Sequence, residues 1–345
     1  MSHSTVPRTR AEADATKKTP VASGDATGPD GGKRQPGKPS LRLRFRRDRV
    51  LLLMTLPAVL LVLLFNYVPI LGNVVAFQEY DPYLSDNGVV SILHSPWVGL
   101  ENFQRIFEDS AFWNSVRNTL VLFALQLVLY FPIPIALALL INSVVRPRVR
   151  AISQAILYLP HFFSWVLVIA VFQQLLGGAG LLSQLLRDHG YDGLSVMTDP
   201  DTFKFLVTAQ SVWKDAGWGI IVFLAALASV SPDLYEAAAM DGANRWRRMW
   251  HVTLPALRPV IALLLVLRVG DALTVGFEQI LLQRDAVGPG AAEVLDTFVW
   301  WNGVRNQDFG YAAAAGLVKG VISLGLVLVA NKVAHLMGEQ GVYKK

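Results

Sequence analysis

The 345-residue chain contains no cysteine, which removes a disulfide framework, a thiolate nucleophile and a Cys-ligated metal together. Its six histidines are scattered, none at H-x-x-x-H spacing, and leave little material for a zinc site. His161, beside Pro160 in "YLPHFF", reads as a packing or interfacial residue. No G-x-x-x-x-G-K-[ST] sequence occurs, so the chain cannot cradle nucleotide phosphates by that route. The isolated Ser, His and Asp residues form no recognisable nucleophile–base arrangement, and enzymatic chemistry is not expected. Charge is scarce at 17% of residues, against 53% hydrophobic.

What charge there is falls unevenly. The first 49 residues hold 12 of the 31 Lys and Arg. Residues 1–40 contain almost no large apolar side chain, so they cannot bury enough surface to offset the entropy of ordering, and residues 1–49 are expected to be a disordered basic tail. The body of the chain, 50–341, is read as one membrane domain. A spanning helix needs about 20 apolar residues to cross roughly 30 Å of hydrocarbon, and six runs qualify: 50–71, 116–144, 152–176, 203–229, 256–277 and 311–336. The first is too long for a signal h-region and lacks a small-x-small cleavage site.

Lys and Arg set the orientation. With the amino terminus inside, the inner segments 1–49, 145–151, 231–258 and 337–345 carry 21 basic residues, and the outer segments 72–115, 177–202 and 278–310 carry 4. Both termini are therefore expected on the cytoplasmic face of the cell membrane. Segment 72–115 is acidic and aromatic, and is read as a small outer cap with a short amphipathic helix over 101–107, or as an ordinary membrane-surface loop.

The stretch "PDLYEAAAMDGANRWRRMWHVTLPALRP", 232–259, interrupts the apolar pattern and falls on the inner side. Ser231 can cap a helix, Pro232 suits its first position and Asp233 complements the helix dipole. The helix is expected to reach Asp241, with Gly242 as its stop. Asn244 can cap a second helix placing Trp246, Met249, Trp250 and Thr253 along one face and the arginines opposite, an arrangement suited to lipid headgroups. Leu254 and Pro255 are expected to end this element. Glu236 beside Ala237, Ala238 and Ala239 presents a small face with one carboxylate, to which an arginine of another surface can pair; the alternative is an ordinary surface helix.

The spacing of Glu236, Ala237, Ala238, Gly242, Val252, Leu254 and Pro255 resembles the EAA loop of binding-protein-dependent ABC import permeases, in which Ile is usual where Val252 stands. "RNTLVLFALQLVLYFPIPIALALLIN", "YLPHFFSWVLVIAVF", "WKDAGWGIIVFLAALASVSPDLYEAAAMDGA" and "VGFEQI" are similar to the branch that imports oligosaccharides, including aldouronates. The resemblance implies an all-α integral membrane protein of the type I permease fold, whose loop is a coupling helix docked into a separate ATPase. It implies that Glu236, Ala237, Ala238, Asp241 and Gly242 form the docking turn, and that Leu254 and Pro255 fix the helix that follows. It also implies a second homologous permease, two ATPase subunits that bind the ATP, an outer solute-binding protein, surrounding lipid and a carbohydrate cargo. No cofactor in this chain and no nucleic-acid partner are implied.

Charges inside the runs should face protein or a cavity. Arg268 and Asp271, three apart, can pair as an internal ion pair or contact substrate. Lys214 and Asp215, adjacent, diverge by about 100° on a helix and need not pair with each other. Lys319 is a further buried cation. Asn118, Trp213, Lys214, Asp215, Trp218, Glu278 and Gln279 are candidates for the sugar pathway; for the tryptophans the competing reading is an interfacial belt. The rival function is an ion-coupled secondary transporter acting through Lys214, Asp215 and Arg268, which inverted repeats or interrupted half-helices would favour. No clear repeat is present, and Gly217 and Gly219 are a weak interruption.

Overall fold

A computed structural model describes residues 49–336. The expected disordered tail, apart from Arg49, and the segment beyond 336 lie outside those residues. The helices used below are α1 (Arg49–Val62), α2 (Glu101–Glu108), α3 (Ser110–Leu125), α4 (Pro132–Ser143), α5 (Pro147–Tyr158), α6 (Trp165–Leu176), α7 (Leu181–Asp188), α8 (Phe203–Ala228), α9 (Pro232–Met240), α10 (Arg245–Arg248), α11 (Leu254–Gly270), α12 (Phe277–Leu281), α13 (Leu295–Trp300) and α14 (Phe309–Leu336). Among the described residues β-structure amounts to one isolated bridge, Gln78 with Trp97. Six helical segments are long and apolar enough to cross a membrane: Leu53–Phe77, Ser110–Ser143, Trp165–Asp188, Phe203–Ala228, Arg245–Gly270 and Phe309–Leu336.

Proline explains how three of these segments continue where an ideal α-helix would stop. A proline lacks the amide proton and its ring pushes on the carbonyl four residues earlier. For Pro69, Pro132 and Pro255 that carbonyl belongs to Phe65, Val128 and His251, and each lies inside a π-helical turn: Leu63–Tyr67, Gln126–Tyr130 and Met249–Thr253. The wider turn makes room for the ring, and Phe131 N–H bonds back to Gln126 O at 2.9 Å. Leu254 and Pro255 therefore do not end the element before them, as the sequence suggested. Helix runs unbroken from Arg245 to Gly270.

Two spans differ from expectation in the other direction. The run 152–176 is two helices, because the chain turns extended at Phe163 and Ser164 caps α6, its Oγ accepting from Leu167 N–H. α11 ends at Gly270 rather than reaching residue 277.

α8 is the buried axis of the domain. Ile220, Phe223, Leu224 and Leu227 pack on Ala138 and Ile141 of α4 and Leu257 of α11, while Phe203 and Val207 join Leu122, Val275, Ile280 and Val294. Gly217 does not interrupt α8. A Cβ there would stand 1.9 Å from the carbonyl oxygen of Leu157, so glycine is what lets α8 lie against the backbone of α5. In segment 72–115 the expected short helix is present as α2. Its Asn102 Nδ2 donates to Ala76 O and Gln78 O, both at 3.1 Å, and Ile106 packs against Phe112, Phe298 and Tyr311. Arg105 pairs with Asp308 at 2.7 Å, fastening α2 to the start of α14.

Candidate functional site

The loop 231–259 is built from local bonds. Ser231 Oγ accepts from Asp233 N–H at 3.3 Å and starts α9. At the other end Ala243 N–H bonds Ala238 O at 2.9 Å and Gly242 N–H bonds Ala239 O at 3.0 Å, with Gly242 at φ 73°. This pair of bonds around a left-handed glycine is the Schellman termination. Asn244 Oδ1 then accepts from Arg247 N–H at 2.9 Å and starts α10. Glu236, Ala237, Asp241 and Gly242 are exposed and Ala238 is half-buried. Met240, 88% exposed, stands on the same turn. The expected single stripe of Trp246, Met249, Trp250 and Thr253 is divided by the π turn: both tryptophans are exposed, and Thr253 is buried.

Two features tie this turn to the membrane helices. Tyr235 Oη and Thr253 Oγ1 are 3.2 Å apart, bridging α9 to the π turn. Beneath lies a cavity of about 620 Å³ between α4 and the loop, lined by Leu139, Leu140, Tyr235, Trp246 and Met249 among others. The Leu254–Pro255 pair opens α11, the direct continuation of the loop.

A second constellation lies within the membrane segments. Lys214 is buried and donates from Nζ to His161 O at 2.8 Å, with Asp215 Oδ1 at 3.5 Å and the Trp165 ring centroid at 5.4 Å. Asp215 Oδ1 accepts from His161 Nδ1–H at 2.9 Å, since a carboxylate can only accept. His161 stacks on Trp218 with centroids 4.7 Å apart and planes 12° apart. It is thus a bonded member of the cluster rather than mere packing, and Lys214 and Asp215 do meet, through the bend at 159–164 that sequence periodicity did not show. Trp218 keeps an exposed ring, and Trp213 packs on Phe163 and Phe172.

Arg268 and Asp271 are not paired among the described residues. Arg268 Nη2 donates to Gln126 Oε1, and its guanidinium lies 5.7 Å from the Tyr130 ring centroid. Asp271 is the exposed C-cap of α11. Lys319 pairs with Asp296.

Two pathway candidates hold the fold. Asn118 is fully buried and donates from Nδ2 to Gly290 O at 3.1 Å and Glu293 O at 3.0 Å. Gln279 is fully buried, donating to Val207 O at 2.9 Å and Gln210 Oε1 at 2.7 Å and accepting from Ser211 Oγ at 3.1 Å. Glu278, its neighbour, is exposed. Sequence reasoning missed Gln210 and Gln283, which close this amide network at 3.1 Å. It also missed Arg284 and Glu293, a buried pair at 2.5 Å with the guanidinium 3.7 Å over Trp301. The Gln210–Gln283 contact spans 73 positions, and Arg284 reaches Glu293 across a stretch that is not one continuous helix, so periodicity carried no sign of either pairing.

Residues 130–337 match the family of binding-protein-dependent transport system inner membrane components. The chain belongs to this family. It is an ABC-importer permease, a multi-pass membrane protein, and the matched region contains the loop, α8 and the whole polar cluster. The permease is 43% identical over 304 residues to the polygalacturonan/rhamnogalacturonan transport system permease protein YteP of Bacillus subtilis (strain 168), covering 88% of this chain and 93% of that one. It is 28% identical to the trehalose/maltose transport system permease protein MalF of Thermococcus litoralis, over 85% of this chain and 96% of that one. Among solved structures it is similar to a chain of a bacterial alginate ABC transporter in complex with an alginate pentasaccharide-bound periplasmic protein, with TM-score 0.79 and 36% identity, covering 88% of this chain and 99% of that one. The ion-coupled alternative finds no support: its proposed carriers sit in a permease of another transport class.

Proposed function

We propose that the permease forms half of the translocation pathway for an oligosaccharide and receives its driving force from a separate ATPase docked at Glu236–Gly242. A second permease would supply the other half, and an outer solute-binding protein would deliver the cargo. Carbohydrate is favoured because YteP, MalF and the alginate transporter are each named for a sugar or polysaccharide. Both termini would be cytoplasmic, on the strength of the Lys and Arg asymmetry.

One observation carries the coupling reading: the exposed α9 turn is mechanically continuous with a membrane span. Its Schellman end fixes the angle between α9 and α10, the Tyr235–Thr253 bond ties α9 to the π turn, and the helix then runs without a break to Gly270. A push on the turn would therefore move α11 as a packed body rather than bend a loose loop. Exposed small side chains beside Glu236 leave room for a partner surface to approach and for its arginine to pair with the carboxylate.

The test is substitution on the exposed face. Glu236→Lys and Gly242→Pro should insert into the membrane normally, lose copurification with the ATPase and abolish ATP-dependent uptake. Proline cannot adopt the φ of 73° that position 242 requires. Normal uptake by both variants would refute the docking role.

A further inference from the structure

The cavity of about 620 Å³ beneath the loop changes character along its length. On α4 its wall runs from Ala136 through Leu139 and Leu140 to Asn142 and Ser143, about 10 Å at 1.5 Å per residue. The apolar end lies within the span Ser110–Ser143, and the polar end lies where that span stops. On the loop side Trp246 and Met249 continue the apolar wall, and Arg245 and Arg248 stand beside them. No carboxylate lines the cavity: Asp233, Glu236 and Asp241 of the same loop take no part in its wall.

Neither arginine has its charge answered. Among the described residues no carboxylate lies within ion-pair distance of Arg245 or Arg248, and Arg248 is half-buried. Two guanidinium groups at the end of an apolar slot match an amphiphile with an anionic head, and their planar donors can hold phosphate oxygens two at a time. The chain's own first 49 residues do not fit, because they hold 12 of its 31 Lys and Arg and would bring like charge. A free anion fits poorly as well, since it would leave the wall of Leu139, Leu140 and Met249 in water. Tyr235 and Thr253, whose hydroxyls meet at 3.2 Å and tie α9 to the π turn, line the same cavity. An occupant therefore packs against the joint between the loop and the spans.

We propose that the cavity binds one anionic phospholipid, with its phosphate between Arg245 and Arg248 and the start of an acyl chain along Leu139 and Leu140. In the topology proposed above this is the cytoplasmic leaflet, where basic pockets between membrane helices take such headgroups. The bound lipid fills the space under the loop and stiffens the joint, so that ATP-driven uptake requires anionic lipid. Binding stands on the cavity alone; the effect on uptake rests on the coupling reading above.

The experiment places the complete transporter, with partner permease, ATPase and binding protein, in nanodiscs of phosphatidylcholine. A phosphatidylglycerol carrying a photoactivatable diazirine on one acyl chain is then titrated in. Cross-links should fall within residues 136–143 and 245–253, be displaced by unlabelled phosphatidylglycerol and be untouched by inorganic phosphate. In the Arg245→Gln/Arg248→Gln variant half-saturation should need about 30-fold more lipid, the loss expected for two basic contacts at a membrane surface. Arg245→Lys/Arg248→Lys should keep most of the labelling, because the charge remains. Leu140→Trp, which crowds the apolar wall, should weaken it with both arginines intact. Equal labelling of the same residues by a photoactivatable phosphatidylcholine overturns the proposal, as does displacement by inorganic phosphate. So do cross-links that avoid 136–143 and 245–253; if these residues become labelled only after the ATPase is stripped, that subunit is the occupant instead. These outcomes are read on the wild type, so a glutamine variant that fails to assemble leaves the decision intact. Uptake, measured in proteoliposomes of the same lipids, should rise with phosphatidylglycerol in the wild type and stay flat in the glutamine variant. Labelling as expected with uptake indifferent to phosphatidylglycerol overturns the regulatory half alone. Wild-type protein with no ATP-dependent uptake in any lipid overturns the coupling reading and leaves the lipid site standing on the cross-links.

Discussion

The loop 231–259 and the segment 282–297 both join membrane helices, yet they are held in opposite ways. The first is secured within itself, by Ser231 to Asp233, Ala238 to Ala243 and Asn244 to Arg247 a few positions apart and by Tyr235 to Thr253 across the loop. Its small face stays open. The second is secured by bonds that cross the domain. Asn118 holds Gly290 and Glu293, Thr119 Oγ1 accepts from Leu295 N–H at 2.9 Å and Lys204 Nζ donates to Ala291 O at 3.2 Å, while Arg284 and Glu293 pair within the segment itself. A segment fixed by its neighbours in sequence can present a face to another protein without losing shape. A segment fixed by distant groups has less of its polar surface left to meet another protein.

That contrast can be broken from either side. The largest effect should come from Glu293→Ala, which strands a buried guanidinium; loss of about 3–5 kcal/mol is expected, read as a fall in the melting temperature and yield of the purified complex. Replacing both partners, Arg284→Met with Glu293→Leu, should restore most of that stability, whereas a pair needed for function would leave uptake lost. Next is Gly242→Ala. A side chain at φ 73° costs about 1–2 kcal/mol, expected to appear as faster hydrogen exchange confined to residues near α9 and α10. Ser231→Ala removes one cap and should cost about 1 kcal/mol, visible as fraying of the first turn of α9 in the same measurement. The smallest stability change belongs to Glu236→Gln: within about 0.5 kcal/mol, because the side chain is exposed. If uptake falls while the melting temperature holds, the open face is functional; a melting temperature that drops by several degrees would place Glu236 among the structural residues instead.

The same difference explains what the sequence could show. Ser231, Pro232, Gly242 and Asn244 act through their own backbone neighbourhood, so the start and stop of α9 and the start of α10 could be read directly. The six spans follow from apolar length alone. The broken third span was hidden because Phe162 and Phe163 are as apolar as the helices on either side, and only the Ser164 cap marks the break. The continuity through Leu254–Pro255 was hidden because a proline reads as a stop unless a π turn upstream absorbs its ring. Pairings such as His161 with Asp215, or Arg284 with Glu293 over Trp301, depend on which helices meet. His161 lies 54 positions from Asp215, and neither residue type nor spacing announces the contact. Asn118 and Gln279 have the chemistry of sugar ligands, and their burial, with amide N–H groups bonded inside the fold, is a property that residue type alone does not show.

In the proposed assembly the turn at Glu236 faces the cytoplasm and is covered by an ATPase. The chain has no cysteine, so Glu236→Cys creates a single thiol. In inside-out vesicles stripped of the ATPase a membrane-impermeant maleimide should label it, and adding the ATPase back should block labelling. Labelling from the exterior of sealed right-side-out vesicles, or labelling indifferent to the ATPase, would refute that placement of the turn.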